Sequence, residues 1–177
     1  MLSDLESSFD AERRADLVAQ SAELAEAEHA SIEVVDRLRG TVGRPIHLRT
    51  RSGAPVDGVL TRVEPAYVLV DEGEGLQAIV PMAAVTTVAT LAGPAPRDDR
   101  RRPTLGALLR EIARRGARVR LIAGAGEVMG RLVRVGADHV DIALDSEGRG
   151  CVRRATGAGV VGVVSVMTAA IEVLRSR

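Results

Sequence analysis

At 177 residues, 46% of them apolar but with only one Tyr, one Phe and no Trp, the chain has room for one medium domain or two small ones, and its cores are expected to be aliphatic. The formal net charge is zero, yet residues 1–40 hold 4 Arg against 10 acids, residues 41–96 hold 4 against 5, and residues 97–177 hold 16 against 9. Such asymmetry suggests a nucleic acid, an acidic partner or self-association of opposite ends; the lone Cys151 excludes an internal disulfide and points to a reducing cytoplasm, and no apolar run reaches the roughly 20 residues that a membrane helix needs.

The acidic opening MLSDLESSFDAE lacks the basic and then apolar pattern of a signal peptide, so no secretion is expected. From Asp10 to Leu38 nothing breaks a helix, and Leu17, Leu24, Val34, Val35 and Leu38 give it a partial apolar stripe. Its acids Asp10, Glu12 and Asp16 sit in the first turns, where the helix dipole favours them. The stripe is rich in alanine, which suits a solvated helix or one that docks a partner better than a coiled-coil seam. Gly40 and Gly43 are its expected end.

Ile46 and Leu48 alternate with His47 and Arg49, the pattern of a half-buried strand, and Ser52-Gly53 turns the chain. Val56, Gly58 and Leu60 share one face of a second strand, where a central glycine marks a sharp bend. Tyr67–Val70 is a third strand, Asp71–Gly75 a solvated acidic hairpin, and Leu76–Val80 and Val85–Thr90 are two last strands around Pro81-Met82. Residues 91–103, LAGPAPRDDRRRP, read as an exposed linker. Thr104 is the expected N-cap of an amphipathic helix through Leu105, Leu108, Leu109 and Ile112 that ends before Gly116.

The stretch after that helix, Val119–Leu144, repeats Ile46–Val70. With Gly43 set on Gly116, Leu48 meets Leu121 and Gly53 meets Gly126; after a one-residue gap Gly58 meets Gly130, Leu60 meets Leu132, Val63 meets Val135 and Val68 meets Val140. The repeat implies two small units: an acidic helix over 1–40, a first unit over 41–90, the linker over 91–103, and a helix with a second unit over 104–177. Units of this size bury only about 60% of the surface an unfolded chain exposes, so mutual packing or oligomerisation is expected.

A helix followed by five short strands, with glycine in the middle of a bent second strand, resembles the bacterial Sm-like (Hfq-like) family, and residues 103–144 carry the likeness best. The resemblance implies a mainly β fold with helices: two tandem five-stranded Sm-like (SH3-like) small barrels, each preceded by a helix. Tyr67 and His139 stand where that family stacks a base at the start of the third strand. The family's tyrosine, lysine and histidine before the last strand are replaced by Val80, Pro81 and Met82 in one unit and by Ser165, Val166 and Met167 in the other, so its ring-pore RNA site is not carried over. The whole chain also resembles uncharacterised bacterial two-barrel proteins sometimes labelled Fis-type regulators, although no helix-turn-helix is legible here.

Gly157, Gly159 and Gly162 spell GxGxxG, but the 15 residues that follow leave no room for the helix, strand and ribose-binding acid of a dinucleotide site, so the motif reads as a turn. His29, His47, His139 and Cys151 lack metal-ligand spacing, and no activated nucleophile, paired carboxylates or phosphate loop can be assembled from sequence neighbours. A non-enzymatic protein without cofactor or metal is expected. What remains is an arginine cluster: Arg118 and Arg120 alternate with Val119 and Leu121, Arg131 points the same way from the neighbouring strand, and Arg134, Arg153 and Arg154 lie behind them. Guanidinium groups so placed could hold the phosphates of RNA or DNA, although the scarcity of aromatics removes most base stacking. The alternative is a cytoplasmic protein-interaction scaffold, engaging a protein partner or a second copy through the N-terminal helix and the barrel edges.

Overall fold

The structure, a computed structural model, describes residues 13, 17–27, 29–96, 103–124, 126–145 and 162–177. Two compact units are distinguished, Met1–Val34 and Val35–Arg177. In the first, residues 17–27 and 29–30 are helical (α1), and Leu17, Val18 and Leu24 are exposed. The single helix expected over Asp10–Leu38 is interrupted at residues 31–33, where the Ile32 N–H donates to the His29 carbonyl (3.2 Å). Ser31 competes for backbone hydrogen bonds and Ile32 loses rotamer freedom in a helix, and together they break it.

The helix α2 spans Val34–Thr41, all but its first residue in the second unit. Gly40 lies inside α2 rather than ending it, and the position requires glycine because a Cβ there would meet the Gly93 carbonyl oxygen at 2.1 Å. Residues 91–95 are correspondingly tied to α2: Asp36 accepts from the Ala95 N–H (3.0 Å), Thr41 Oγ1 from the Ala92 N–H (2.9 Å), and Ala92 O from Arg37 (3.2 Å). The first part of the expected linker is thus fastened; residues 97–102 lie outside the described residues.

Five strands follow α2: β1 (Pro45–Thr50), β2 (Pro55–Val63), β3 (Tyr67–Gly73), β4 (Leu76–Pro81) and, after a 3-10 turn at Met82–Ala84, β5 (Val85–Ala89). Then come α3 (Leu105–Arg115), β6 (Arg118–Ala123), β7 (Gly126–Val135), β8 (His139–Leu144), β9 (Val163–Met167), a second 3-10 turn at Thr168–Ala170, and β10 (Ile171–Ser176). Thr104 caps α3 as expected, accepting from the Ala107 N–H (3.2 Å), and Gly116 closes it at φ 62°, a left-handed conformation that suits glycine.

Among the described residues the chain is mainly β: ten antiparallel strands form one sheet in the order β5-β1-β2-β3-β4-β10-β6-β7-β8-β9. The order 5-1-2-3-4 therefore occurs twice, and the register repeats with it. Ile46 faces Gly58 as Val119 faces Gly130, and a bulge follows Leu60 in β2 and Leu132 in β7. Both central glycines permit close strand approach, since a Cβ would lie 2.1 Å from Asp71 O at Gly58 and 2.1 Å from Ala143 O at Gly130. The sheet does not close on itself. It is continuous through β4·β10, and β5 and β9 are its two ends.

Successive residues of a strand face opposite ways, and at the β4·β10 join both faces are covered. Val68, Val70, Ala78 and Val80 fill one core with Leu48, Leu60 and Val173. Tyr67, Leu69 and Ile79 pass to the other, with Leu109, Ile112, Leu121 and Leu174. Each buried Val, Leu or Ile among them contributes about 1.5–3 kcal/mol by leaving water, so the two cores stabilise the join from both faces.

Polar clamps fix the same join. Arg51 donates to Ala83 O (3.0 Å) and Ala169 O (3.1 Å), corresponding carbonyls of the two 3-10 turns. Buried Glu172 accepts from the backbone N–H (2.9 Å) and hydroxyl (2.6 Å) of Ser52. Arg175 holds Glu72 through two hydrogen bonds (2.6 and 2.9 Å), both side chains being 12% exposed, so the acidic hairpin expected to be solvated is partly an ion-pair site.

Candidate functional site

The arginine face is built on the β6–β7 hairpin. Its register sets Arg118 directly opposite Arg131, with Arg120 two residues along the same face of β6, so these three are brought together. All three are exposed. The face also carries its own counter-charges: Arg118 donates to Asp145 (2.6 Å), and Arg120 engages both carboxylate oxygens of Glu127, the second at 2.9 Å. The bulge after Leu132 leaves Val133 and Arg134 consecutively exposed, with Arg134 opposite Asp141. Arg153 and Arg154 lie outside the described residues, as do Cys151, Gly157 and Gly159.

The two expected stacking residues do not join this face. Tyr67 is fully buried and its hydroxyl donates to Pro103 O (3.3 Å), so no ring face is open to a base and Tyr67 leaves the candidate site. His139 is partly exposed, but Nδ1 bonds Asp138 (2.8 Å), Nε2 lies 3.9 Å from Asp141, and the ring sits against Gly136. The hydrogen bond from His139 holds the Asp138 carboxyl below its ordinary range. Ser165 donates to Asp141 (2.6 Å), so the imidazole does not stand between hydroxyl and carboxylate as a nucleophilic triad requires.

Sequence reasoning missed three features. Glu127 and Asp145 neutralise two arginines from positions whose proximity depends on strand register. The seam clamps Arg51, Glu172 and Arg175 bind residues 103–120 positions away along the chain, beyond any local motif. The third is the contrast between the sheet ends. β9 exposes Val163 (55%) and Met167 (51%) on one face, whereas β5 places Thr86 and Thr87 outward. No group of three or more metal-ligating side chains occurs among the described residues, and none of their helices is long and apolar enough to cross a membrane.

No protein-family model matches the chain, and a search of curated proteins finds no relative. Any functional reading therefore rests on its own residues.

Proposed function

We propose that this protein is a non-enzymatic, cytoplasmic interaction scaffold of two tandem five-stranded Sm-like units, each led by a helix, which engages proteins through its two sheet edges and the helix α1. The twice-used strand order and shared register support the tandem reading. One observation carries the functional one: among the described residues the sheet ends at β5 and β9, each with one edge unpaired, and the β9 end exposes Val163 and Met167, while the arginine face carries carboxylates of its own. An unpaired edge presents a row of backbone donors and acceptors to an added strand, and flanking apolar side chains supply area.

The first partner this geometry suits is a second copy. Within the chain, β10 pairs β4 with Leu174 opposite Ile79; the corresponding residues at the sheet ends are Val88 in β5 and Ser165 in β9. Pairing β9 of one copy with β5 of the next continues the sheet head to tail, and three chains would supply six units to a closed ring. Light scattering on the intact chain tests this. A mass above the 18.7 kDa of one chain that falls to it in Val163→Lys/Met167→Lys supports the reading, since lysines blunt an edge. A parent that is monomeric at micromolar concentration rejects self-assembly through the edges.

A polyanion reading is favoured by one observation: Arg131 and Arg134 have no carboxylate partner among the described residues. Phosphate contacts would then dominate, with little base stacking and weak sequence preference.

A further inference from the structure

A cavity of about 520 Å³ lies along the seam where α3 crosses the outer face of β2–β4. Its origin is local. The bulge between Leu60 and Arg62 places Thr61 and Arg62 outward one after the other and sets Arg62 opposite Leu69. α3 turns Leu109 and Ile112 into the core, which directs Leu108, Glu111 and Arg115, spaced i, i+3 and i+7, to the other wall. The floor is therefore apolar, from Leu69 and Leu108, and the rim is cationic, with Arg62, Arg114 and Arg115 against the single carboxylate Glu111.

Glu111 binds both Arg114 and Arg115, the latter at 3.0 Å, and these hydrogen bonds hold its carboxyl below the ordinary range. The side chains of Arg114 and Arg115 nevertheless remain 70% and 72% exposed. A guanidinium has five N–H donors, so each retains donors for a second anion while Glu111 fixes its position. We infer that this seam binds a small organic anion, phosphate or carboxylate, that carries an apolar body. An inorganic anion would leave the Leu69 and Leu108 floor uncovered, and a neutral apolar molecule would leave the guanidinium rim unused. The volume falls within the range of about 300–1,000 Å³ typical of small-molecule sites.

The site occurs once per chain among the described residues. In the second strand set the matching bulge exposes Val133 and Arg134, but α3 packs at β7 of its own set, and the cavity is walled by α3 and the first set alone. This inference is independent of the scaffold reading, because neither α1 nor the sheet ends take part.

The test is fluorescence titration of the intact chain with anilinonaphthalene sulfonate, an amphiphilic anion, followed by displacement with phenyl phosphate, octanoate or inorganic phosphate at equal ionic strength. One saturable equivalent is expected, displaced by the two organic anions and not by inorganic phosphate. Arg62→Gln and Arg115→Gln should each weaken binding about tenfold, while Glu111→Gln, which removes the competing carboxylate, should tighten it about threefold. Unfolding midpoints equal to the parent's establish that these surface variants fold. Absence of saturation, equal displacement by inorganic phosphate, or affinities unchanged in both arginine variants overturns the inference. Displacement by oligonucleotide with phenyl phosphate inert overturns it too, because the seam would then be part of a polymer track.

Discussion

The two strand sets share an order and a register, yet they dress the same surface in opposite ways. In the first, the outward residues of β3 and β4 are Tyr67, Leu69 and Ile79, which pack into the core shared with α3 and β10. The register places His139, Asp141 and Ser165 at the corresponding positions of β8 and β9, where His139 bonds Asp138, Ser165 bonds Asp141 and all three keep some contact with water. The clamps differ as well: Glu172 and Arg175 of β10 correspond to Thr86 and Ala89 of β5. One face of this fold is thus built to be covered and its counterpart to stay wet. The residues that seal the internal join, Ile79, Leu174, Glu172 and Arg175, have smaller counterparts at the sheet ends in Ser165, Val88, Thr86 and Ala89, so any association proposed there is expected to be weaker.

Exchanging residues between the halves gives the sharpest break. Ile79→Ser copies Ser165 into a site only 3% exposed and should destabilise by about 3–5 kcal/mol, through lost burial and an unpaired hydroxyl. The reverse exchange, Ser165→Ile, loses one exposed hydrogen bond and should change stability by less than about 1 kcal/mol, while promoting association through the β9 edge. Urea unfolding of both variants checks this. Equal losses would mean that the two faces are not differently covered.

A smaller effect is expected at the clamps. Glu172→Ala removes the buried carboxylate that accepts from the Ser52 N–H and hydroxyl and should cost about 1.5–3 kcal/mol, whereas Thr86→Ala, at the corresponding exposed position, should cost less than about 1 kcal/mol. Burial alone pushes the Glu172 carboxyl up, but hydrogen bonds from Ser52 and Thr50 and the nearby Arg51 outweigh it and hold the group below its ordinary value. A depressed folded value means that the stabilisation is complete above the unfolded carboxylate pKa of about 4.3 and is lost as pH falls through the lower folded value. Unfolding followed from pH 6 downward should show Glu172→Gln losing less stability than the parent; parallel curves would remove Glu172 as the acid-sensitive clamp.

The halves also explain what was legible in the sequence. Strand positions were, because Ile46-His47-Leu48-Arg49 alternates and Gly58 and Gly130 mark bends, so local pattern and packing agree. The cap at Thr104 and the stop at Gly116 were legible for the same reason. The seam was written more faintly. Tyr67-Val68-Leu69-Val70 is a continuous buried run, whereas His139-Val140-Asp141-Ile142 alternates, and a strand without a polar face is one covered on both sides. That contrast could have identified which half is covered. The β4·β10 pairing itself could not be read, since residues 77–79 and 174–176 meet only through tertiary folding. Nor could the neutralisation of Arg118 and Arg120, because Asp145 and Glu127 reach them through hairpin register rather than sequence neighbourhood.

The smallest effects on stability, and the most informative about polyanions, are expected on the arginine face. Exposed ion pairs contribute about 0–1 kcal/mol, so Arg118→Ala and Arg120→Ala should leave the unfolding midpoint nearly unchanged, and Arg131 and Arg134, which have no carboxylate partner among the described residues, should matter still less. Phosphate binding ranks them the other way. Each phosphate contact adds about 0.7–0.9 to the slope of log affinity against log salt. A guanidinium held by a carboxylate must share or exchange its partner before it neutralises a phosphate, whereas Arg131 and Arg134 need not. Arg131→Ala/Arg134→Ala should therefore lower the slope by about 1.5–2, and Arg118→Ala/Arg120→Ala by less than about 1. Glu127→Gln, by removing one carboxylate charge from beside Arg120, should raise the parent's affinity. The measurement is titration of the full chain with single-stranded RNA and with duplex DNA from about 50 mM salt upward, where screening is weakest at the start. Binding that disappears only with the Arg118/Arg120 pair would reverse the assignment of the contacting residues, and no binding at the lowest salt would leave the second strand set, for all its arginines, a solvated face on which Asp145 and Glu127 hold two of them.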